Sequence, residues 1–181
     1  NVGYDGLWNV YKDSDIRPGT NYYWDMYSTS KFREGQKKCG NYSNVGDCVN
    51  REHSFPKSWF KKGQPMVSDA FHIYPTDGKV NGQRSSFPYG ECANGTTLPS
   101  CNGVDALGKL GKSTFPGYSG TVFEPVDEYK GDFARTYFYM AACYNDKIAS
   151  WSSPMLAGNS YPCYTTWAVN LLLKWNEQDP V

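Results

Sequence analysis

The chain has 181 residues and a formal net charge of zero, and aromatic residues make up 17% of it. This length suits a single domain that can bury a hydrophobic core. The zero net charge argues against a protein held on nucleic acid by its bulk charge, but it says nothing about a local patch. Many of the aromatic rings are expected to be partly exposed, because Tyr and Trp keep a polar end near water.

Charge is unevenly distributed along the chain. The stretch 31–62 contains eight basic residues against three acidic ones, whereas the stretch 121–132 contains four acidic residues against one basic residue. A basic region around a catalytic site would suit a polyanionic substrate. The alternative is a solvated loop rich in lysine, and charge alone favours that alternative.

Six cysteines, at positions 39, 48, 92, 101, 143 and 163, predict disulfide bonds. The short separations favour the pairs 39–48, 92–101 and 143–163, although six cysteines admit other pairings. Disulfides predict an oxidising compartment, so we expect a secreted or periplasmic protein. The chain starts without an apolar run and has no stretch that could span a membrane. We interpret it as a mature or trimmed product without a signal peptide.

The first part of the chain predicts short elements separated by loops. An amphipathic pattern predicts a short helix over 4–11, and a run of strand-forming residues predicts a strand over 22–27. Two more short strands are predicted at 49–54 and 71–74, each ended by a proline. Residues 80–86 are interpreted as a short helix or an irregular connection.

The second part of the chain predicts the core helices. Residues 87–120 are rich in Gly, Pro, Ser and Thr and are interpreted as loop with short strands. Apolar residues recur at helical spacing over 132–144 and 165–176, which predicts two amphipathic helices. Neither helix has a group of polar residues within its apolar face, so both are expected to build the core. The predicted fold class is α+β, with residues 1–181 in one domain.

The candidate site lies in the stretch Asn50–Phe60. The sequence contains two histidines, His53 and His72, and Glu52 immediately precedes the first of them. On a regular strand Glu52 and His53 would point to opposite faces, so a shared site requires the strand to end or twist there. Phosphodiester hydrolysis needs a cation, a water placed for in-line attack and a base. Glu52 and Asn81 can supply oxygen ligands to a hard ion such as Mg²⁺, and His53 can act as the base.

Other polar residues around this stretch are candidates for binding or support. Three cations could offset charge on the phosphate or on the leaving oxygen, namely Arg84, Arg51 and Lys57. Asp69 could orient a neighbouring group or cap a turn, and His72 has apolar neighbours that favour a half-buried structural histidine. Each candidate has a structural alternative, because Asn-Gly is a common turn dipeptide and an arginine is more often solvated or ion-paired. Spacing alone therefore indicates a metal-assisted hydrolase and no more.

Three blocks of the sequence, in this order, resemble the bacterial endonuclease I family. The first contains Glu52-His53 followed by Pro56, the second runs over 69–90 and includes Val-Asn-Gly-x-Arg-Ser, and the third runs over 131–140. The similarity extends over most of the chain. Members of this family are secreted or periplasmic non-specific nucleases with a ββα-metal (His-Me finger) site. The resemblance therefore implies that fold and that activity.

The resemblance also implies roles for individual residues. His53 would be the general base that activates water, and Glu52 and Asn81 would hold Mg²⁺, with Mn²⁺ or Ca²⁺ as substitutes. The finger would consist of the strand ending at His53, the short strand at 71–74 and the segment with Asn81. Such enzymes cut DNA and often RNA and leave 5′-phosphate ends. Nucleic acid is thus the expected partner, and we expect a monomer without a membrane or an obligate protein partner.

The sequence departs from the family pattern at several positions. Ser86 stands where members often have Asn, and Phe71 stands where some members have His. No residue clearly matches the arginine that steadies the leaving group in some members, a role that Lys61 or Lys62 could take. Members usually continue with a further C-terminal helix, which this chain would lack beyond Val181.

We therefore predict a Mg²⁺-dependent non-specific endonuclease with an α+β fold. Two other functions stay open on the sequence. One is an aromatic-rich secreted module that binds glycans or nucleic acid without catalysis. The other is a metal-dependent phosphatase or small-molecule phosphodiesterase. Turnover that EDTA abolishes would separate an enzyme from the binding module, and cleavage of a polymer would separate a nuclease from the phosphatase.

Overall fold

The fold combines helices with two small antiparallel sheets. The structure is a computed structural model that describes residues 2–181. Within these residues the elements are α1 (Gly3–Ser14), β1 (Val49–His53), β2 (Ile73–Asp77), α2 (Gly78–Arg84), β3 (Lys109–Lys112), β4 (Thr121–Glu124), α3 (Lys130–Cys143), α4 (Asn145–Ile148) and α5 (Thr166–Gln178). Strand β1 pairs with β2 and strand β3 pairs with β4. The predicted α+β class is confirmed.

A unit of two strands and one helix places the candidate site. Strands β1 and β2 are antiparallel, with His53 opposite Ile73, and α2 follows β2 without a loop. The carboxylate of Asp77 accepts hydrogen bonds from the main-chain nitrogens of Lys79 and Val80, which caps the first turn of α2. The end of β1 therefore lies beside a helix with a fixed start.

A disulfide fixes the other side of α2. Cys39 and Cys48 are bonded, and the main-chain nitrogen of Gly78 donates to the Cys48 carbonyl at 2.8 Å. A Cβ on Gly78 would overlap the Cys39 sulfur, and a Cβ on Gly82 would overlap the Tyr42 hydroxyl. Glycine is needed at position 78 because the disulfide packs directly on the helix, whereas a side chain at position 82 requires only a shift of the exposed Tyr42 ring.

Two clusters of buried residues form the core. The larger lies between α3, α5 and the β3–β4 sheet and includes Phe123, Phe133, Tyr137, Leu171 and Trp175. The smaller joins α1 to the β1–β2 sheet, and its members are Leu7, Tyr11, Tyr23, Phe32, Val49 and Ile73. Residues 2–181 contain no helix with the length and apolar composition needed to span a bilayer.

Helices α1, α3 and α5 and strand β1 lie where the sequence predicts them, to within a few residues. The helix predicted from residue 80 begins at Gly78. The strand predicted at 71–74 begins later, at Ile73, and continues through Pro75 to Asp77. Pro75 is tolerated because each strand of a two-stranded sheet has one free edge, where no backbone donor is needed.

The predicted strand at 22–27 is wrong. Residues 22–27 have a single isolated bridge, between Ile16 and Tyr23. The backbone instead turns around the buried carboxylate of Asp25, which accepts hydrogen bonds from the Tyr27 main-chain nitrogen and from the Ser28 hydroxyl. Strand propensity loses to this local side-chain bonding, because a buried carboxylate must be satisfied by donors.

Two of the three predicted disulfides are absent from the structure. Cys92, Cys101, Cys143 and Cys163 are free cysteines. The buried Cys92 sulfur faces the Lys109 carbonyl, 3.8 Å away, rather than Cys101. Cys163 is buried, whereas Cys143 is exposed at the end of α3. Short sequence separation is therefore a poor guide here, because the pairs 92–101 and 143–163 are not bonded whereas 39–48 is.

Candidate active site

A cavity of about 140 Å³ opens where the end of β1 lies beside α2. Its lining residues are Tyr4, Asn50, Arg51, Glu52, His53, Pro56, Lys57, Asn81, Ser85 and Ser86. Five of the eight predicted site residues are thus brought together, although they come from two separate stretches of the chain. Glu52 and His53 both reach the cavity because β1 ends at His53.

Glu52 is anchored through one carboxylate oxygen and leaves the other available. It is only 3% exposed, and its Oε1 accepts hydrogen bonds from Arg84 Nη1 at 2.7 Å and from the Tyr27 hydroxyl at 2.9 Å. Oε2 makes no hydrogen bond within residues 2–181. Burial raises the pKa of Glu52, and Arg84 opposes this shift. Since arginine keeps its proton in proteins, the ion pair favours the charged carboxylate.

Arg84 is a structural residue of this site. It is fully buried, and besides Glu52 its guanidinium donates to the main-chain oxygens of His53 and Ser54, while its plane lies 4.5 Å from the centre of the Tyr89 ring. Of the two roles predicted for Arg84, the structure excludes substrate contact, because no part of the side chain reaches the surface. The other role, structural support, fits these contacts.

His53 presents one ring nitrogen to the cavity. Its Nε2 lies 3.1 Å from the Val67 carbonyl oxygen, which can only accept, so Nε2 carries the proton and Nδ1 has a lone pair. Nδ1 has no hydrogen-bond partner among the described residues. The ring stacks on Tyr4 at a centroid distance of 5.7 Å. Burial, with a contribution from His72, lowers the pKa of His53 to about 3, so the imidazole is neutral at physiological pH.

Asn81 brings a second oxygen donor to the cavity. It lies on α2, is half-buried, and its side-chain amide makes no hydrogen bond with any residue of the described chain. No group of three or more His, Cys, Asp or Glu side chains within residues 2–181 could hold a metal. Glu52 Oε2 and the Asn81 amide nevertheless fit a hard cation, because Mg²⁺ keeps several waters and needs only one or two protein ligands.

The two remaining predicted cations differ in availability. Arg51 Nη1 donates to the Tyr4 carbonyl at 2.7 Å and to the Asp5 carboxylate at 3.0 Å, so the guanidinium is tied to α1. The exposed Lys57 ammonium makes no hydrogen bond or ion pair within the described residues. Lys57 is therefore the lining cation with the fewest competing contacts.

The two predicted supporting residues lie behind the cavity. The Asp69 carboxylate accepts hydrogen bonds from the hydroxyls of Tyr139 and Tyr144 and caps the short 3-10 helix that follows it. His72 is fully buried, not half-buried, and its Nε2 donates to the Met66 carbonyl at 2.7 Å. Both residues stabilise the segment that positions His53, and neither lines the cavity.

The sequence analysis did not identify two residues that contact Glu52 and His53 but are distant from them in the sequence. Tyr27 bonds to the carboxylate of Glu52, and Tyr4 stacks on the ring of His53. No local spacing could have indicated either contact, since both tyrosines come from the first 30 residues. A larger pocket of about 380 Å³, lined in part by Asp132 and Arg135, contains neither histidine.

The whole chain, residues 1–181, matches the family model described as Endonuclease I. The chain is 31% identical over 194 residues to a protein named extracellular ribonuclease from Bacillus amyloliquefaciens, and 32% identical to one of that name from Bacillus subtilis (strain 168). These alignments cover 99% of this chain and 57% of each relative, so the chain spans little more than half of their length. An Endonuclease-1 from Buchnera aphidicola subsp. Acyrthosiphon pisum (strain APS) is 31% identical over 86 residues, which is 47% of this chain and 30% of that relative. The chain belongs to the endonuclease I family.

Proposed function

We propose that this protein is a secreted, metal-dependent, non-specific endonuclease that hydrolyses phosphodiester bonds of RNA and DNA. One observation carries the proposal. Glu52, His53 and Asn81 line one cavity, and Glu52 Oε2, His53 Nδ1 and the Asn81 amide have no hydrogen-bond partner among residues 2–181. Membership of the endonuclease I family supports it. Strands β1 and β2 with helix α2 would then form the ββα-metal (His-Me finger) unit.

The expected cofactor is Mg²⁺, with Mn²⁺ or Ca²⁺ as substitutes. Glu52 and Asn81 would hold it, with water in its remaining positions. When bound, the ion supplies positive charge that stabilises the negative charge developing on the phosphate and on the leaving oxygen. Arg84 positions Glu52 for this role by holding the opposite carboxylate oxygen.

His53 would act as the general base. Nδ1 accepts a proton from the water that attacks phosphorus, the bond from phosphorus to the 3′ oxygen breaks, and the product has a 5′-phosphate end. The Nε2 hydrogen bond to Val67 keeps the ring in the tautomer that this step needs. The low pKa keeps the ring unprotonated, and an entering phosphate would raise that pKa because negative charge favours the imidazolium.

The substrate class and the compartment rest on the relatives and on the disulfide. Two relatives that align with 99% of this chain are named extracellular ribonuclease, which supports RNA as a substrate and secretion as the location. The Cys39–Cys48 disulfide is consistent with an oxidising compartment. DNA is included because a base and a metal that act on the phosphate do not need a 2′-hydroxyl group.

The test is cleavage of a supercoiled plasmid and of a single-stranded RNA, with Mg²⁺ and with EDTA. We expect cleavage that EDTA abolishes. Asn81→Ala should lower the rate and raise the Mg²⁺ concentration needed for half-maximal activity, because it removes an oxygen ligand that makes no structural hydrogen bond.

Gln83→Ala is the matched control for Asn81→Ala. It removes a side-chain amide from the same helix, but this amide donates to the Thr96 carbonyl and does not line the cavity. An unchanged Mg²⁺ requirement in Asn81→Ala would contradict the assignment of that ligand. A wild-type protein with its disulfide intact that cleaves neither polymer would contradict the nuclease and favour a binding module.

A further inference from the structure

A row of aromatic rings and cations leads away from the cavity along α1 and the segment 31–38. We call it the cation–ring track, and its members are Tyr4, Arg51, Trp8, Lys38, Tyr22, Arg33 and Lys31. Tyr4 and Arg51 also line the cavity, so the track begins at the candidate active site.

The inner part of the track is built on one face of α1. Tyr4 and Trp8 are one helical turn apart, and the Arg51 guanidinium lies 3.6 Å from the centre of the Tyr4 ring and 5.2 Å from that of Trp8. The Lys38 ammonium lies 4.9 Å from the centre of the Trp8 ring. Tyr4 and Trp8 thus each hold a cation in place through a cation–π contact.

The outer part of the track continues from Trp8. The Trp8 ring packs on Tyr23 at a centroid distance of 6.1 Å. Tyr22, the preceding residue, has Arg33 at 4.9 Å and Lys31 at 5.9 Å from the centre of its ring. The Tyr23 main-chain nitrogen donates to the Phe32 carbonyl at 2.8 Å, so the segment that carries Lys31 and Arg33 lies beside the residue on which Trp8 packs.

The exposed cations of the track form no ion pair within residues 2–181. Lys31, Arg33 and Lys38 are exposed, and within residues 2–181 none of them has a carboxylate oxygen within 4.0 Å. The chain as a whole has a net charge of zero. The segment 31–38 has four basic residues against one acidic residue, Glu34, so its excess of positive charge is local and not a property of the whole protein.

We propose that the cation–ring track binds the phosphates of the nucleic-acid strand that extends beyond the cleaved bond. The proposal rests on the proposed function and identifies the path that a polymeric substrate takes from the cavity. Each of these rings has a cation beside it, so we assign the rings to positioning charge and not to stacking bases. Binding along the track is therefore independent of base sequence and strongly dependent on salt.

The test compares a single-stranded RNA of about 20 nucleotides with a dinucleoside monophosphate, whose only phosphate is the one that is cleaved. Lys38→Gln and Arg33→Gln should each raise KM for the long RNA about fourfold at ~0.15 M salt, which is the counterion-release contribution of one single-strand phosphate contact. Each should also lower the slope of log KM against log salt by about 0.7. The dinucleoside monophosphate should be cleaved as by the wild type, because it cannot reach these residues.

Lys112→Gln is the matched control, since Lys112 is exposed and lies outside the track but its substitution changes the net charge equally. If Lys112→Gln raises KM for the long RNA as much as Lys38→Gln does, the track is overturned. If Lys38→Gln or Arg33→Gln impairs cleavage of the dinucleoside monophosphate as much as cleavage of the long RNA, the track is overturned as well. A marked preference for oligo(A) over oligo(U) that Trp8→Leu abolishes would show base stacking and overturn the phosphate assignment.

Failure of the proposed function would look different from failure of the track. If the wild type cleaves neither substrate, fluorescence anisotropy with the long RNA still tests the surface. In that case, binding that Lys38→Gln weakens and Lys112→Gln leaves unchanged supports the track without catalysis. Equal affinities of the wild type and both variants overturn it.

Discussion

A histidine ends β1 and another immediately precedes β2, and the two environments are alike in most respects. The ring centroids of His53 and His72 are 5.5 Å apart. Each ring donates through Nε2 to a main-chain oxygen of the 3-10 helix Met66–Ser68. The acceptor is the Val67 oxygen for His53 and the Met66 oxygen for His72. Burial lowers both pKa values, to about 3 for His53 and to about 4 for His72, so both rings are neutral at physiological pH.

The two histidines differ in where the second ring nitrogen points. His72 is fully buried, and its Nδ1 is enclosed without a hydrogen-bond partner. His53 lines the cavity with its Nδ1 unpaired among the described residues. The same residue with the same tautomer is thus a candidate base at one strand end and a packing residue at the other. Access to the cavity distinguishes His53 from His72, because both rings have a lowered pKa and the same tautomer.

The largest expected effect separates the two histidines directly. His53→Ala should lower kcat by about 10²–10⁴-fold, the usual contribution of a general base, and leave the protein folded. His72→Ala should instead lower the free energy of unfolding by about 2–5 kcal/mol, because it leaves a cavity in a fully buried site.

Rates of RNA cleavage and urea denaturation of both variants check this prediction. If His72→Ala fails to fold, His72→Gln retains a donor for the Met66 oxygen and replaces it. A folded His72 variant that loses as much kcat as His53→Ala would show that the two rings act together.

The next effect is one on stability and comes from Arg84, which bonds the end of β1 and has no counterpart beside His72. Arg84→Met should lower the free energy of unfolding by about 3–5 kcal/mol, because Glu52 is then a buried charge without its partner. The double variant Arg84→Met with Glu52→Gln should recover part of this stability but remain inactive. Recovery of cleavage in the double variant would contradict the assignment of Glu52 as a metal ligand.

The smallest effect is the pH dependence of stability. Burial lowers the pKa of His72 to about 4, whereas histidine in an unfolded chain titrates near ~6.5. Unfolding therefore takes up a proton between these values, so the stability due to neutral His72 is complete above about pH 6.5 and is lost as the pH falls towards about 4. The difference corresponds to about 3 kcal/mol.

Urea denaturation of the wild type and of His72→Gln between pH 7.5 and pH 4.5 measures this contribution. The variant should lose less stability over the range, because it has one buried imidazole fewer. Parallel curves for the two proteins would show that His72 takes up no proton on unfolding.

The candidate site could be predicted in part because its key residues are neighbours in sequence. Glu52 and His53 are adjacent, and their resemblance to a known block linked them to Asn81. The structure brings all three to one cavity. Arg84 was also identified, but whether it contacts substrate or Glu52 depends on burial. Burial is set by Tyr89, Tyr137 and the other rings packed around it, which no local pattern reports.

The errors in the fold have the same origin. The segment 22–27 has strand propensity, but the buried carboxylate of Asp25 organises it instead. Cys92 and Cys101 are near in sequence, yet the Cys92 sulfur faces the Lys109 carbonyl. In both cases a contact made in three dimensions outweighs a preference that is read from neighbouring residues.

The sequence by itself determined the helices with a long apolar period, α3 and α5, and the strand that carries the Glu-His pair. These signals are local, because hydrophobic periodicity and residue order act within one element. Only the tertiary structure decided that His53 reaches the cavity while His72 does not, and that Arg84 holds Glu52. The exposure of each of these side chains depends on which distant segments pack over it and exclude water. The packing of the whole chain determines this exposure.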